Sequence, residues 1–297
     1  MLDYLINLII LALTVSQKVL YGVTLGIVQG IAEWLPISSK TQVLIASTYL
    51  LKLNFNEAYA FGLFMEIGTI FAALIYFRKE LISLIRFLIG RGNAESGFLF
   101  RYILVSMVFT AMIAAPLYLF IDSLTGTYNL GIPMLLMGIV LIGDALIIKY
   151  SRSKYSKDKN RKLVSQMSLK DYILVGIAQG ISALPGVSRS GATTSTLLLL
   201  NVETREAFRL SFIDMIFASS GAVVLTYLAS KASILSTIAL IGPTGLLIAI
   251  VVATVVSLLL INFLLNIAKR SSIIYLTLAL GIIALASGAL AAIYGAV

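Results

Sequence analysis

Long apolar stretches with few charged residues limit this chain to one kind of fold. Six of them, at about 20 residues each, are long enough to cross the hydrocarbon core of a bilayer as helices. They cover positions 59–77, 99–121, 132–150, 207–229, 243–268 and 273–294. Only 12% of the residues are charged, about half of what a soluble domain carries. The sequence therefore predicts an all-α, polytopic membrane protein with six or seven transmembrane helices.

Two residue types are missing, and their absence limits the chemistry. The chain has no cysteine and no histidine, which excludes disulfides, thiolate nucleophiles, imidazole bases and Cys/His zinc sites. A catalytic group must therefore be a Ser, Thr, Glu, Asp, Lys, Arg or Tyr side chain. A metal ion would need oxygen ligands, which favours Mg²⁺ or Ca²⁺.

Two further apolar regions, 19–51 and 172–200, are interrupted near their centres. Proline, glycine and polar residues form the breaks, namely Pro36, Ser38, Ser39 and Lys40, then Pro185, Gly186, Ser188, Arg189 and Ser190. Each half has only about 10–16 residues, which is too short to cross a bilayer alone. Proline breaks a helix, so each region is predicted to be a re-entrant helix–loop–helix segment.

The two interrupted regions are copies of one another. Residues 26–31 read G-I-V-Q-G-I, residues 176–181 read G-I-A-Q-G-I, and Ser38 matches Ser188 in the same register. Three uninterrupted spans lie between the copies, so the second copy is upside down, as in many transporter folds. The predicted organisation is an N-terminal apolar helix at 1–18, a first repeat at 19–150, a basic loop at 151–170 and an inverted second repeat at 171–297.

The net charge of +9 comes mainly from the segments between the spans. Basic residues concentrate at 78–101, 149–170 and 269–270, which lie on one side of the membrane if the predicted spans are right. The positive-inside rule identifies that side as cytoplasmic. No hydrophilic segment carries a basic patch with interleaved aromatic residues, so the expected partner is the cell membrane and not nucleic acid.

The breaks are suited to binding phosphate. Serine is a preferred N-cap residue, so Ser38 or Ser39 is expected to cap the helix after the first break, and Ser188 or Ser190 the helix after the second. The free N–H groups at a helix N-terminus attract anions. Arg189 adds a guanidinium that can hold two phosphate oxygens. A glycine at position 191 would let a phosphate approach the backbone closely.

Four acidic residues fall inside apolar regions, where a carboxylate is costly and is a functional candidate. Glu33 shares a helix face with Gln29 and with the glycines at 22, 26 and 30, so it is expected to point into the protein. Glu66 is expected near the level of the helix tips, as a further site residue or as a structural acceptor. Asp144 and Asp214 have the same two interpretations, with the structural one favoured.

The residues around both breaks resemble the two signature motifs of the undecaprenyl-pyrophosphate phosphatase family, of the bacitracin-resistance type. Residues 30–39 read G-I-A-E-W-L-P-I-S-S. The family motif begins one residue earlier and ends three residues later, and it reads roughly E-G-L-T-E-F-L-P-V-S-S-T-G-H. Residues 185–193 read P-G-V-S-R-S-G-A-T, where the family has P-G-F-S-R-S-G-A-T. Residues 66–70 also resemble a family Q-L-G-S-I segment, and the resemblance covers nearly the whole chain after residue 18.

This resemblance implies a fold and an activity. The fold would have six spanning helices and two re-entrant helix pairs in interlocked inverted repeats. The activity would be hydrolysis of a polyprenyl (undecaprenyl or dolichyl) diphosphate to the monophosphate, assisted by Mg²⁺ or Ca²⁺. Such a reaction recycles a lipid carrier for cell-wall or glycan assembly.

The resemblance also implies roles for individual residues. Glu33 would be the base or a carboxylate linked to the metal, Ser39 the nucleophile, and Arg189 a catalytic cation. The implied phosphate-binding residues are Ser38, Ser188, Arg189, Ser190, Gly191 and Thr193.

Two positions depart from the first motif, with Gln29 in place of a glutamate and Gln42 in place of a histidine. A glutamine can position a group but cannot act as a base near neutral pH. Glu33 would then carry the proton transfer, with Glu66 supplying the missing carboxylate and both glutamines in supporting roles. A transporter or flippase that binds polyprenyl phosphate without cleaving it is the alternative, because inverted repeats suit alternating access.

Overall fold

The computed structural model describes residues 2–35, 37–123, 131–155, 161–267 and 272–294. Pro36, residues 156–160 of the basic loop, and the basic pair at 269–270 lie outside the described residues. Within the described ranges the chain is helical, and an isolated bridge between Lys162 and Val202 is the one β contact. The α-helices of these ranges are α1 (Leu2–Ala32), α2 (Ser39–Leu51), α3 (Phe55–Phe64), α4 (Glu66–Tyr76), α5 (Arg78–Leu88), α6 (Ala94–Ser123), α7 (Gly131–Tyr155), α8 (Leu169–Ile181), α9 (Arg189–Leu199), α10 (Thr204–Ala229), α11 (Lys231–Ile267) and α12 (Ser272–Tyr294).

Each of the six predicted spans coincides with a helix or helix pair. Four stretches are long and apolar enough to cross a membrane, and α7 and α12 contain shorter apolar segments at Met134–Ile147 and Thr277–Ala292. The four are Phe55–Tyr76 (α3 with α4), Ala94–Ser123 (α6), Thr204–Ala229 (α10) and Lys231–Phe263 (most of α11). The prediction of an all-α, polytopic membrane protein is confirmed.

The helices on either side of the two breaks are short, with one exception. Helices α2 and α8 have 13 residues each and α9 has 11, so none exceeds about 20 Å, against a bilayer core of about 30 Å. Helix α1 is the exception, because it runs for 31 residues without interruption. The predicted boundary between an N-terminal helix at 1–18 and the first repeat is therefore not present as a break. No proline occurs before position 36, so nothing in the backbone ends the helix at residue 18.

Two other segments are more helical than expected. The basic stretch 78–101 was expected to connect two spans as a loop, but α5 occupies its first half and α6 begins at Ala94. The exposed surface of α5 carries apolar residues, including Ile82 and Ile85, together with charged residues at its start and near its end. This pattern is typical of a helix that lies along a membrane surface. At the other basic segment, α7 continues to Tyr155, so residues 151–155 belong to a helix and not to the loop.

Each half of the chain packs a helix against the other half. Helix α1 of the first half packs along α11 of the second, and α8 of the second half packs along α6 of the first. Glycines make both approaches close: a side chain at Gly26 would meet Ala249 and Val252, and one at Gly176 would meet Ser106 and Phe109. Helices α7 and α12, which follow in equivalent places, pack on each other. This reciprocal packing is what two interlocked copies require.

We expect Gly26→Ala to destabilise the protein. Its Cβ would lie 2.6 Å from the carbonyl oxygen of Ala249, and overpacking of this kind costs about 1–3 kcal/mol. Gly143→Ala on α7 is the matched control, because a Cβ there meets nothing within 4 Å, and alanine is the better helix former. Thermal unfolding in detergent should show a lower Tm for Gly26→Ala and an unchanged or higher Tm for Gly143→Ala. Equal Tm values for both variants would contradict the close helix packing.

Candidate functional site

The two interrupted segments meet tip to tip. The backbone N–H of Gly186 donates to Oγ1 of Thr41 at 2.9 Å, and Ser190 Oγ donates to the carbonyl oxygen of Leu35 at 3.1 Å. Lys40 Nζ donates to the carbonyl oxygen of Val187 at 2.9 Å. Each interrupted segment forms a helix–loop–helix hairpin that contributes donors to the other, so the two serine-rich tips converge.

Arg189 is the electrostatic centre of this junction. It is the first residue of α9, and its guanidinium pairs with Glu33 through Nη2 and with Glu66 through Nη1, the latter at 3.4 Å. Nη1 also donates to Ser219 Oγ on α10. Both carboxylates are buried and come from the first repeat, whereas the arginine comes from the second. A buried charge is tolerated when it is paired, so the three residues hold one another in place.

The second oxygen of Glu33 faces a serine. Ser39 Oγ donates to Glu33 Oε2 at 2.7 Å, and Gln29 Nε2 donates to the same oxygen at 2.8 Å. Gln29 Nε2 also lies 3.3 Å from Thr69 Oγ1. Gln29 is thus held in place and orients the Glu33 carboxylate. A hydroxyl within hydrogen-bond reach of a positioned base is the arrangement of an activated nucleophile.

The serines at the helix starts differ between the copies. Ser188 caps α9 as predicted, accepting from the backbone N–H of Gly191 at 3.2 Å. Ser38 occupies the N-cap position of α2 but its hydroxyl shares a hydrogen bond with Thr41 Oγ1 at 2.8 Å, so its predicted side-chain cap is absent. Ser38 also has φ +56°, a left-handed conformation that is costly outside glycine and concentrates at functional sites.

These side chains surround a small polar cleft that adjoins a larger apolar cavity. The cleft is lined by Glu33, Leu35, Ser38, Ser39, Lys40, Glu66, Ser188, Arg189 and Ser190. The cavity has a volume of about 360 Å³, and small or apolar residues of α6 and α10 form most of its wall. Three charged residues line both spaces: Lys40, Glu66 and Arg189.

Two residues predicted to bind phosphate point elsewhere. A Cβ added to Gly191 would collide with the carboxylate of Asp144 on α7, so this glycine makes room for a neighbouring helix and not for a phosphate. The hydroxyl of Thr193 donates to the carbonyl oxygen of Arg189 and shares a hydrogen bond with Ser211 on α10. Neither residue lines the polar cleft. The α9 helix turns both away, because only its first two residues face the opposite hairpin.

Gln42 does not join the cluster either. Its Nε2 lies 3.2 Å from the carbonyl oxygen of Ile37 and 3.2 Å from Met137 Sδ, so the side chain faces α7. Of the three predicted supporting residues, the structure brings Gln29 and Glu66 to the site and places Gln42 outside it.

The remaining intramembrane acids are buried at other places. Asp144 accepts from Ser195 Oγ at 2.8 Å, and Asp214 accepts from Ser106 Oγ at 3.0 Å. Neither carboxylate lines the polar cleft. The structural interpretation of both residues, favoured from the sequence, agrees with these contacts.

Two site residues were missed in the sequence. Lys40 was noted only as part of the first break, although its position directly after the serine pair places it at the tip. Ser219 contacts Arg189 from the middle of α10, and no local pattern distinguishes it from other small polar residues of that helix.

The donor atoms at the site are suited to a hard metal ion only in part. Glu33 and Glu66 offer carboxylate oxygens that approach a common point at Arg189. In the described part of the chain, however, no three acidic residues come together as metal ligands. Mg²⁺ commonly binds to one or two carboxylates and takes its other ligands from substrate phosphates and water. The site is therefore compatible with a metal ion that arrives with a phosphorylated ligand.

Comparisons with known proteins identify the family. The family model described as bacitracin resistance protein BacA matches residues 22–286. Proteins named undecaprenyl-diphosphatase are similar over most of their length. The one from Saccharolobus solfataricus is 50% identical over 273 residues, covering 92% of this chain and 96% of the relative. The corresponding values are 47% over 264 residues, with 89% and 94% covered, for Sulfurisphaera tokodaii, and 38% over 271 residues, with 91% and 97% covered, for Pyrobaculum aerophilum. The chain belongs to the bacitracin resistance protein BacA family, which confirms the resemblance seen in its two motifs.

Proposed function

We propose that this membrane protein hydrolyses a polyprenyl diphosphate, such as undecaprenyl diphosphate, to the monophosphate and inorganic phosphate. The observation that carries the proposal is the contact of Ser39 with Glu33 at 2.7 Å, directly beside Arg189 and an apolar cavity. The names of the relatives describe the same activity. They give no support to the transporter alternative.

The reaction would proceed by attack of Ser39 on the terminal phosphorus. Glu33 Oε2 takes the hydroxyl proton as the Oγ–P bond forms and the bridging P–O bond breaks. The electron pair of that bond leaves with the prenyl monophosphate. Water then cleaves the phosphoserine, giving inorganic phosphate and restoring Ser39.

Arg189 and the α9 helix start would hold the negative charge. The guanidinium has five N–H donors in a fork that matches phosphate oxygens, so it would bind a phosphate in the cleft while remaining paired with the carboxylates. The serines at 188 and 190 supply hydroxyl groups at the N-terminus of α9. Donors fixed before the reaction begins stabilise the transition state without further reorganisation.

A divalent cation would complete the charge balance. Arg189 and Lys40 carry two positive charges, and Glu33 and Glu66 carry two negative charges, so the lining of the cleft does not by itself neutralise a diphosphate. Glu33 and Glu66 would hold Mg²⁺ or Ca²⁺ together with phosphate oxygens. Such an ion supplies charge neutralisation and polarises the phosphoryl group.

The apolar cavity would receive the first part of the prenyl chain. Its wall consists mainly of small and aliphatic residues of α6 and α10, two of the helices that are apolar enough to lie in the bilayer. The lipid could thus keep its tail in the membrane while its head group lies in the cleft. We also propose that the basic segments at 78–101 and 149–170 face the cytoplasm, because positive residues are retained on that side.

Glu33→Gln should abolish turnover while preserving binding of the substrate. The amide keeps the shape of the side chain but cannot accept the serine proton, and loss of a general base costs about 10²–10⁴ in rate. Phosphate release from a polyprenyl diphosphate by purified protein measures this directly, with Glu95→Gln as the control for an exposed glutamate. Wild-type turnover in Glu33→Gln would remove the carboxylate from the mechanism.

Ser39→Ala should eliminate both turnover and a phosphorylated intermediate. With substrate labelled in its terminal phosphate, rapid quenching of the wild type should trap the label on residue 39. Ser38→Ala is the matched control, because the Ser38 hydroxyl bonds to Thr41 and not to Glu33. The label on residue 39 should therefore still appear in this variant. Full activity of Ser39→Ala would instead favour direct attack by water activated at Glu33.

Arg189→Lys should lower kcat although the charge is kept. An ammonium cannot form the paired contacts of a guanidinium, and losing one transition-state donor costs about 10²–10³ in rate. Arg209→Lys serves as the control, because Arg209 pairs with Glu80 and Glu206 away from the cleft. A kcat within twofold of the wild type for Arg189→Lys would contradict the assigned role.

A further inference from the structure

Lys40 lies where the polar cleft meets the apolar cavity, and the family motif assigns it no role. The motif quoted above has threonine at this position, whereas this chain has lysine. Lys40 is the second residue of α2, it is only 5% exposed, and it lines both spaces. A buried ammonium at this boundary therefore calls for an explanation specific to this chain.

The ammonium of Lys40 is held by neutral groups. Nζ donates to the carbonyl oxygens of Ser182 and Val187 in the loop of the opposite hairpin. An ammonium has three donors, so these two contacts leave one free for a ligand. No carboxylate in the described ranges forms an ion pair with it. Glu33 and Glu66 line the same cleft, but both pair with Arg189. Lys40 thus has no ion-pair partner of its own, which is costly for a buried cation, and an anionic ligand at this point would supply one.

Lys40 and Arg189 are complementary cations. Each stands in the first turn of the helix that follows a break, and each reaches across to the opposite hairpin. Arg189 lies with Ser39 and Glu33 in the cleft, where the terminal phosphate would be attacked. A diphosphate has a second phosphate one bridging oxygen away, on the side of the lipid chain. Arg189 and Lys40 both line the cleft and the cavity, but only Arg189 pairs with Glu33 beside Ser39, which leaves Lys40 as the cation for the second phosphate.

We propose that Lys40 binds the proximal phosphate, the one that leaves with the prenyl chain. This assignment rests on the proposed diphosphatase function and makes Lys40 a substrate-binding residue for the leaving group. When the bridging P–O bond breaks, its electron pair stays on the oxygen of the prenyl monophosphate. The ammonium stabilises the additional negative charge there. Arg189 thus binds the terminal phosphate, and Lys40 binds the proximal phosphate.

The test compares the two products as ligands. Binding of a polyprenyl monophosphate and of inorganic phosphate is measured by calorimetry on wild type, Lys40→Gln and Lys40→Arg in detergent. Glutamine keeps a donor for the loop carbonyls but removes the charge. Losing a hydrogen bond to a charged group should weaken monophosphate binding about 10-fold or more. The affinity of Lys40→Gln for inorganic phosphate should stay close to the wild-type value, and Lys40→Arg should restore the affinity for the polyprenyl monophosphate. Lys231→Gln, at an exposed lysine, is the matched control.

Each outcome decides the assignment. Equal weakening of both ligands in Lys40→Gln would mean that Lys40 only holds the hairpin loop, and no weakening would exclude it from the site. If Lys40→Gln does not fold, a structure of the wild type with bound polyprenyl monophosphate decides instead. A phosphate oxygen within hydrogen-bond reach of Nζ supports the assignment, and a phosphate held elsewhere overturns it. Absence of hydrolysis by the wild type, with the binding difference intact, would refute the proposed reaction and the leaving-group role, and would leave Lys40 as a binding residue for a prenyl phosphate.

Discussion

The pairing of Arg189 with Glu33 and Glu66 is the interaction on which the site depends. The cation comes from one copy of the duplicated unit and both carboxylates come from the other. Inside a membrane protein none of the three would be stable alone, because a charge removed from water needs a partner. Their pairing therefore fixes the distance between two hairpins that belong to different halves of the chain. It also places Glu33 so that its second oxygen meets Ser39.

The helices support this pairing from outside. Glycines let α1 lie close to α11 and α8 lie close to α6, so the first arm of each hairpin is held by the other half of the protein. Trp34, at the end of the first arm, packs edge-on against Phe212 of α10 with ring centroids 5.0 Å apart. The tips are thus positioned by packing over the whole molecule.

Much of the fold could be predicted because it follows from local rules. Apolar length identified the spans, and the repeated G-I-x-Q-G-I segments identified the duplication. The continuity of α1 was not predicted, because a change in polarity along the sequence does not by itself end a helix. The presence of α5 was not predicted, because an amphipathic helix at a membrane surface resembles a charged loop in composition.

The site was predicted in part for a similar reason. Glu33, Ser39 and Arg189 come together as their residue types suggested. The environments of Gly191, Thr193 and Gln42 depend instead on which neighbour each side of a helix faces, and those neighbours are distant in sequence. Position within a motif could not reveal that Gly191 accommodates Asp144. Lys40 was missed because its partners, the carbonyls of the opposite loop, become visible only when the hairpins meet.

Cross-linking across the two tips tests most directly whether one site is built from both repeats. The chain has no cysteine, so Leu35→Cys with Ser190→Cys gives a single reactive pair, at positions joined by a 3.1 Å hydrogen bond in the structure. A short thiol cross-linker applied to native membranes is expected to join the two positions within one molecule, and a mixture of the single variants should give no product. Failure of the double variant to cross-link, or cross-linking only between molecules, would contradict the meeting of the tips.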